Sequence, residues 1–594
     1  MQRETLSNEP ATDRIAALEA ALSVGRVRIT ELTADRNRWR KAYRELHLEL
    51  ELLRRRLFVA KAERVDTSQL QLEFAAKLAE LDALAGVVPE SVKDEADDAK
   101  DSKDAKDAKD AKDPKDPKDP KDPKDPSAPA KPKRKPTGRR DLLELGLPEE
   151  RIELVDPDLE GKAPRIGFEE SAKLVWRRGG FVCLIVARVK YRVVTAPGEA
   201  IIVTTPLPEE TFVRSLAGPS LMAHIINDKF CDGLPLHRQE ERFTRDGVDL
   251  DRGTMSRWVE EAGATLGATV VEAMRAEAMK TAFCLATDAT GVAVQPEATA
   301  DKKRQPCRRG HYFVILADLD HVFFEYVARE TSETVSRMFY GFAGYIQADA
   351  HSVYNVLFVP PKERPPPDDG TAPDVAVRQE VGCWSHARRK FWEAATAKNE
   401  VAREALVRIQ RMFLLERDWK AEPPDKLKAL RQAHVRPHLV ALFAWARVEF
   451  DKVKGERGML RSALGYLVRQ EDALMRFLED GRLRPDNNAS ERALRRIAVG
   501  RKAWLFVGSD GHAEAAGHLM SLIASAKLHG LHPEAYLRDL LRVLAHWPSD
   551  RYLELAPRYW KTTRARLDTA EVDAEIGPLT VPPADPPVDK KPAD

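Results

Sequence analysis

A charged repeat in the first quarter of the chain limits what the chain can fold into. Nine consecutive Lys-Asp-X triplets run from residue 100 to residue 126, with Ser, Ala or Pro as the third member. Opposite charges alternate and cancel, and no large apolar side chain is present, so packing cannot offset the entropy lost on folding. We therefore expect residues 89–137 to be a disordered linker, with the segments on either side folding separately.

Residues 1–88, ahead of the linker, have the pattern of a coiled coil. Apolar residues recur at alternating spacings of three and four, the period of a helix that packs against a partner helix. A homodimeric or higher-order coiled coil is one interpretation, and an intramolecular hairpin with a helix at 70–84 is the other. The apolar positions are Ile15, Leu18, Leu22, Ile29, Leu32, Trp39, Tyr43, Leu46, Leu50, Leu53 and Leu57.

The composition limits the class of protein. The 594 residues exceed what one core can hold, so about three or four units are expected. Lys plus Arg number 96 and Asp plus Glu number 95, so net charge indicates no partner. Five scattered cysteines fit a reducing compartment. The first residues lack the apolar region of a signal peptide and no apolar run reaches about 18 residues, so we expect a cytoplasmic protein without a membrane partner.

Residues 138–212 have the pattern of a small β-rich domain. Apolar runs at 181–187, 190–195 and 200–204 predict strands. The segment contains no Cys-x-x-Cys pair, so we expect no zinc ribbon and no zinc ion there.

Residues 213–280 are predicted to form a helix-turn-helix DNA-binding region. Helices are expected at 219–229 and 236–245, and Asp251 can cap a third helix that begins at residue 252. Two helices joined by a short glycine-containing turn suit this motif, although many three-helix units bind nothing. Polar and basic residues at the start of the third helix are candidate DNA contacts: Arg252, Thr254, Ser256 and Arg257.

The pattern changes over residues 281–398. Three strand-like runs, a helix and a further strand follow in order, which is the opening of a ribonuclease-H-like sheet. Asp288 lies within the first of these strands, and Asp349 follows the fourth. A carboxylate within an apolar strand is costly unless it is paired or binds a cation. Both are therefore candidate catalytic metal ligands, although either one alone could be a surface aspartate.

A further strand end at 381–386 is followed by a basic helix. Cys383 and His386 have the spacing of metal ligands, but the sequence shows no second pair, so a packed cysteine and a phosphate-proximal histidine are favoured. Residues 399–480 then have an almost continuous helical pattern, which we interpret as a helical insertion into the core. The candidate phosphate contacts of the basic helix are Arg388, Arg389 and Lys390.

The stretch from residue 486 to 496 combines one carboxylate with several cations. Asp486 can cap a short helix in which Glu491 and Arg495 are neighbours on one face. One interpretation is a solvated salt bridge, and the other is a metal-binding carboxylate among phosphate-binding cations. The segment at 500–509 is expected to contain an aromatic strand flanked by cations. The candidate DNA contacts of both segments are Arg492, Arg495, Arg496, Arg501 and Lys502.

The predicted fold class is therefore multidomain α+β. It comprises a coiled coil, a small β-rich domain, a helix-turn-helix and a ribonuclease-H-like α/β core with a helical insertion. Residues 481–565 complete that core with C-terminal helices. Residues 566–594 are rich in Pro and Asp and are expected to be a disordered tail.

Several stretches, taken in order, resemble the insertion-sequence-sixty-six family of bacterial transposases, in particular its large DDE subunit. The resemblance covers most of the chain and is most specific from about residue 345 to 560. The stretches are LRRRLF at 53–58, AER at 62–64, LPLHRQE at 234–240, QADA at 347–350, GCWSHARRKF at 382–391, DGRL at 480–483, DNNASERALR at 486–495 and GRKAWLFVGS at 500–509.

The resemblance implies a DNA transposase that cleaves the ends of its element and joins them to target DNA. It makes Asp288, Asp349 and Glu491 the catalytic triad, holding two Mg²⁺ or Mn²⁺ ions per active site. Accessory proteins of the same element are implied as further partners. The cysteines of the family's zinc-binding segment are missing after Gly138. A non-catalytic DNA-binding regulator or scaffold derived from a transposase is the alternative, as is a nuclease without joining activity.

Overall fold

The computed structural model describes residues 142–584, apart from 178, 197–198, 214, 297–304, 365–371 and 397–398. The predicted coiled coil and the predicted linker lie outside the described residues, so both stay predictions. Within the described part, the chain forms two compact units. One contains Ala387–Lys420 and His438–Arg469, and the other contains the remaining described residues.

The larger unit begins with a four-stranded sheet. Its longest strand, β3, pairs in parallel with β1 and antiparallel with β2 and β4. The two faces of β3 pack into different cores, with Val182, Leu184 and Val186 in a small core and Phe181 and Cys183 in the main core. The predicted strands are confirmed, except that 181–187 and 190–195 form one continuous strand. The bounds are β1 Glu149–Leu154, β2 Arg165–Arg177, β3 Gly180–Ala196 and β4 Glu199–Thr204.

Four helices follow the first sheet. The predicted cap of the third helix is confirmed, because the Asp251 carboxylate accepts hydrogen bonds from the backbone N–H groups of Gly253 and Thr254. This helix continues well beyond the predicted first turns, and a single π-turn at Gly267–Val271 joins it to the next. The bounds are α1 Pro219–Phe230, α2 Leu236–Arg245, α3 Arg252–Leu266 and α4 Glu272–Thr281.

The second sheet has five strands in the order β7-β6-β5-β8-β9. β5, β6 and β7 are successive antiparallel strands, and β8 and β9 run parallel to β5 on its other side. The predicted sequence of three strands, a helix and a strand is confirmed. The bounds are β5 Cys284–Val294, β6 Arg308–Ala317, β7 His321–Val327, α5 Ser332–Met338, β8 Gly344–Gln347, α6 Asn355–Phe358 and β9 Arg378–Val381.

The region expected to be a helical insertion is helical. Its helices bury apolar positions three and four residues apart, such as Ala405, Ile409 and Met412, as an amphipathic helix does. Within the smaller unit, the Lys390 ammonium lies 5.1 Å from the centre of the Tyr466 ring. The basic helix ahead of this region is α7 Trp384–Ala395. The helices of the region are α8 Glu400–Asp418, α9 Pro424–Leu430, α10 Arg436–Lys452, α11 Met459–Arg469 and α12 Glu471–Met475.

The C-terminal part is helical and covers the edge strand of the second sheet. Ser521 and Ser525 accept hydrogen bonds from the N–H groups of Phe324 and Val322 in β7, at 2.8 and 3.0 Å. An edge strand otherwise leaves such groups unpaired. A Cβ at Gly517 would lie 2.4 Å from the carbonyl oxygen of Phe324, so this approach requires glycine. The bounds are α13 Asn488–Trp504, α14 Asp510–Leu528, α15 Pro533–Val543, α16 Pro557–Ala565 and α17 Thr569–Asp573.

Two expectations differ from the structure. The aromatic strand expected at 500–509 is absent, because α13 continues through Trp504 and only Val507 forms an isolated bridge, to Val294 in β5. The tail expected to be disordered is folded over residues 566–584, where α17 forms and Val572 and Ile576 are buried. Both side chains gain apolar packing that the Pro-rich composition did not reveal. No helix of the described ranges is long and apolar enough to cross a bilayer.

Candidate active site

Asp288 is the fifth residue of β5 and pairs with Val314 of β6 in the middle of the second sheet. Its carboxylate accepts a 2.8 Å hydrogen bond from the N–H of Ala289. The pKa of Asp288 is raised to about 7, mainly by burial and to a lesser extent by the nearby charges of Asp349 and Glu491, while the Ala289 hydrogen bond opposes the shift. Asp349 and Glu491 therefore lie near enough to Asp288 to disfavour its ionised form, and a bound cation would favour that form.

Asp349 follows the C-terminal end of β8, the strand next to β5. The turn after it is sharp, because Ala350 has a φ of 61°, a left-handed conformation that non-glycine residues rarely adopt. The Asp349 carboxylate accepts a 3.0 Å hydrogen bond from the N–H of His351. The backbone strain and this hydrogen bond hold the carboxylate at the end of the sheet.

Glu491 lies in the first turn of α13, and the chain before this helix is tied to the second sheet. The buried side-chain amide of Asn487 donates a 2.7 Å hydrogen bond to the carbonyl oxygen of Thr287, next to Asp288. The Gln347 amide at the end of β8 donates to the carbonyl oxygen of Arg484 at 2.8 Å. These bonds join the start of α13 to the two strands that carry the other carboxylates.

The residue that caps this helix is Asn487 and not the predicted Asp486. The helix begins at Asn488, with Asn487 as its first flanking residue, and Asp486 accepts a 3.1 Å hydrogen bond from the N–H of Asn488. Asp486 therefore shapes the turn before the helix. Glu491 and Arg495 lie one turn apart on α13, as predicted, and the Glu491 Oε1 also lies 3.8 Å from the Nε2 of His386.

A second set of possible metal ligands meets at Glu491. The ligand atoms of Cys383, His386 and Glu491 all lie within 4.8 Å of one another, and no other group of three among the described residues meets that distance. The Cys383 thiol is buried and accepts a 3.3 Å hydrogen bond from the N–H of Asn487. The sequence indicated the cysteine and the histidine but could not show that Glu491, over a hundred residues later, lies beside them.

Two residues of the site had no sequence signal. The hydroxyl of Tyr354 is buried, and its pKa is raised well above the ordinary value by burial first and then by the charge of Asp349. Glu330 acts electrostatically on both Asp288 and Tyr354. Asn487 did have a signal, because it lies in the Asn-Asn pair that was interpreted as a turn. Its side-chain partner is 200 residues away and could not be inferred.

The predicted DNA contacts differ in exposure and in their bonds within the protein. Thr254 donates to the Asp251 carboxylate, and Arg501 donates to the carbonyl oxygen of Gly291 at 2.8 Å, while the exposed Arg389 pairs with Glu393. Ser256 is half-buried, as is Lys390. The exposed members are Arg252, Arg257, Arg388, Arg389, Arg492, Arg495, Arg496 and Lys502. Arg501 thus fastens α13 to β5, and the exposed members stay candidate DNA contacts.

Comparison with known families identifies the class of protein. A family model described as "Transposase IS66 family" matches residues 214–515, which include Asp288, Asp349 and Glu491. The "IS66 C-terminal element" matches residues 521–558. The chain therefore belongs to the IS66 family of transposases.

A third model bears on DNA binding. It is described as "Transposase C of IS166 homeodomain" and matches residues 45–152. A homeodomain is a helix-turn-helix DNA-binding unit. The match supports a DNA-binding region, but it lies ahead of the predicted 213–280 segment and almost entirely outside the described residues.

Relatives from Sinorhizobium fredii (strain NBRC 101917 / NGR234) carry no described function. The chain is 28% identical to uncharacterized protein y4hP over 383 residues, 61% of this chain and 65% of that protein. It is 27% identical to uncharacterized protein y4qI over 427 residues, 69% of this chain and 76% of that protein. The matched region is thus less than two thirds of y4hP. No solved structure matches the chain.

Proposed function

We propose that this protein binds the ends of a bacterial insertion sequence and performs metal-dependent DNA strand cleavage and strand transfer at Asp288, Asp349 and Glu491. One observation carries the proposal: α13, with Glu491 in its first turn, is hydrogen-bonded through Asn487 to the residue before Asp288. The charges of Asp349 and Glu491 also raise the pKa of Asp288, which supports one site for acidic residues from three separate segments.

The second sheet supports a ribonuclease-H-like core for this site. Three antiparallel strands followed by two strands parallel to the first, in the order β7-β6-β5-β8-β9, have the topology expected for that fold. Asp288 lies within the first strand of the sheet, and Asp349 lies just beyond the fourth. These are the positions at which the sequence predicted metal-binding carboxylates.

The donor set fits Mg²⁺ or Mn²⁺. Three carboxylates offer the hard oxygen ligands that these ions prefer. Burial and then the charges of Asp349 and Glu491 disfavour the ionised form of Asp288, and a divalent cation would favour that form. Two such ions, when bound, would activate a water or a 3′-hydroxyl and stabilise the leaving oxygen. The chain orients the carboxylates for this task through the N–H groups of Ala289 and His351.

DNA would be held by exposed cations and by the helices of residues 213–280. Arg252 and Arg257 project from the first turns of α3, and Arg492, Arg495 and Arg496 from the helix that carries Glu491. Phosphate contacts of this kind supply most non-specific affinity. Pairing of two element ends would be provided by dimerisation through residues 1–88, and accessory proteins of the element would complete the assembly.

The test uses the purified full-length chain, Mg²⁺ and DNA from the ends of the element. Asp288→Asn, Asp349→Asn and Glu491→Gln should each reduce strand cleavage more than roughly a hundredfold, because even partners of metal ligands are worth about 10–100-fold. Asp158→Asn changes an exposed aspartate in the loop after β1 and is the control.

Wild-type strand transfer by any one triad variant excludes a metal role for that residue. DNA binding without metal-dependent nicking by the wild type indicates a non-catalytic regulator, and nicking without joining indicates a nuclease.

A further inference from the structure

We propose that Cys383, His386 and Glu491 form a binding site for a divalent transition-metal ion of the zinc class, which shares only Glu491 with the carboxylate site. The three ligand atoms lie within 4.8 Å of one another and come from the start of α7 and the first turn of α13. Sulfur, nitrogen and oxygen donors together are typical of zinc sites and unsuited to Mg²⁺.

The surroundings of Cys383 fit a thiolate ligand. The residue is fully buried directly before α7, and the N–H of Asn487 donates to its sulfur at 3.3 Å. A backbone donor directed at a buried sulfur stabilises the thiolate, and a bound cation would offset the cost of burying its charge.

His386 is the second donor through its Nε2, which lies 3.8 Å from the Glu491 Oε1. The other ring nitrogen, Nδ1, is buried and has no hydrogen-bond partner within the described ranges, and it is not the atom that faces Glu491. Cys383 and His386 are three residues apart at the start of one helix, which brings their side chains to the same side.

The geometry requires only a small adjustment. Ligands at about 2.0–2.3 Å from a tetrahedral zinc ion lie roughly 3.5 Å apart. The His386–Glu491 separation of 3.8 Å is close to that value. Glu491 is 42% exposed, so its side chain can rotate and a fourth position can remain open to water. Three protein ligands and one open position are typical of accessible rather than purely structural zinc sites.

Because Glu491 belongs to both sites, a metal ion at Cys383 and His386 should affect DNA cleavage, an expectation that rests on the proposed function. A transition-metal ion bound by Cys383 and His386 would withdraw Glu491 from Asp288 and Asp349. Zn²⁺ would then inhibit Mg²⁺-dependent cleavage, and His386→Gln would reduce that inhibition. The binding itself needs neither DNA nor catalysis.

The test is a Co²⁺ titration of the metal-free full-length protein, without DNA. The wild type should develop a thiolate-to-cobalt absorption band that saturates at one ion per chain and is reversed by Zn²⁺. His386→Gln and Glu491→Gln should each weaken Co²⁺ binding at least roughly tenfold, because each removes one of three ligands. Cys307→Ser, which changes an exposed cysteine on another part of the chain, should leave the band unchanged.

Cys383→Ser should abolish the band, with folding checked by circular dichroism. If that variant does not fold, the His386 and Glu491 variants decide the question. A wild type without the band, wild-type affinity in both of those variants, or loss of the band in Cys307→Ser overturns the site. A failed cleavage assay leaves this result unaffected, so the two proposals fail separately.

Discussion

The side-chain amide of Asn487 donates a 2.7 Å hydrogen bond to the backbone carbonyl of Thr287. Thr287 precedes Asp288 in β5, and Asn487 precedes the helix that carries Glu491. The same asparagine donates its backbone N–H to the sulfur of Cys383. One buried residue therefore sets the relative position of two candidate metal ligands and of the neighbouring thiol.

Asn487→Ala should impair catalysis more than folding. Loss of the donor leaves the Thr287 carbonyl unpaired, which should lower the free energy of unfolding by about 1–3 kcal/mol. A displacement of Glu491 of about 1 Å can cost up to roughly a hundredfold in rate. Urea unfolding and single-turnover cleavage would measure the two effects. Asn488→Ala, at the next position, is the matched control, and equal rates for the two variants would contradict the positioning role of Asn487.

The stability of the metal-free protein should depend on Asp288 and on pH. The pKa of Asp288 is raised from 3.8 to about 7 in the fold, mainly by burial, so folding favours the protonated form. Its contribution to stability is therefore complete below about pH 4 and is lost as the pH rises through about 7. Asp288→Asn should therefore unfold at a higher temperature than the wild type at pH 8. Its free energy of unfolding should exceed that of the wild type by at most about 4 kcal/mol.

The measurement is thermal unfolding in a chelator at several values between pH 5 and pH 8. The advantage of Asp288→Asn over the wild type should grow across this interval and level off above about pH 7. Asp158→Asn controls for the loss of one negative charge and should show no such trend. A constant difference between Asp288→Asn and the wild type would contradict the shifted pKa.

Mg²⁺ should stabilise the protein through the carboxylate site. A ligand at 100 times its dissociation constant adds about 2.7 kcal/mol to the free energy of unfolding, so the wild type should unfold at a higher temperature with Mg²⁺. Asp349→Asn should lose most of this increase, because it removes one of three ligand carboxylates. Differential scanning calorimetry with and without Mg²⁺ would check it. An equal increase in Asp349→Asn would show that the ion binds elsewhere.

Arg252→Ala should weaken DNA binding without affecting folding. Its side chain is exposed in the first turn of α3, and alanine is a strong helix former. Loss of one phosphate contact should reduce the slope of log K against log salt by about one. Fluorescence anisotropy at several salt concentrations would measure the slope. Arg337→Ala, in α5, removes another exposed arginine as the control, and identical slopes for both variants would remove Arg252 from the interface.

Local patterns identified most secondary-structure elements correctly. The second predicted helix agrees with α2, Leu236–Arg245, at both ends, and Asp251 caps α3 as expected. These features depend on neighbouring residues and need no tertiary information. The strand predicted at 500–509 was wrong. Trp504-Leu505-Phe506-Val507 has strand propensity, but Arg501 is bonded to β5 and α13 continues through Trp504.

The family and the order of the strands along the chain could be predicted from the sequence, because both depend on short contiguous stretches, whereas the three carboxylates stay a prediction. The tertiary structure alone decided which distant groups meet. Asn487 lies 200 residues from Thr287, and Glu491 lies 105 residues from His386, so no local period could reveal either contact. It also decided that Asp288 is half-buried and near the charges of Asp349 and Glu491, since burial and neighbouring charge arise only when separate segments pack together.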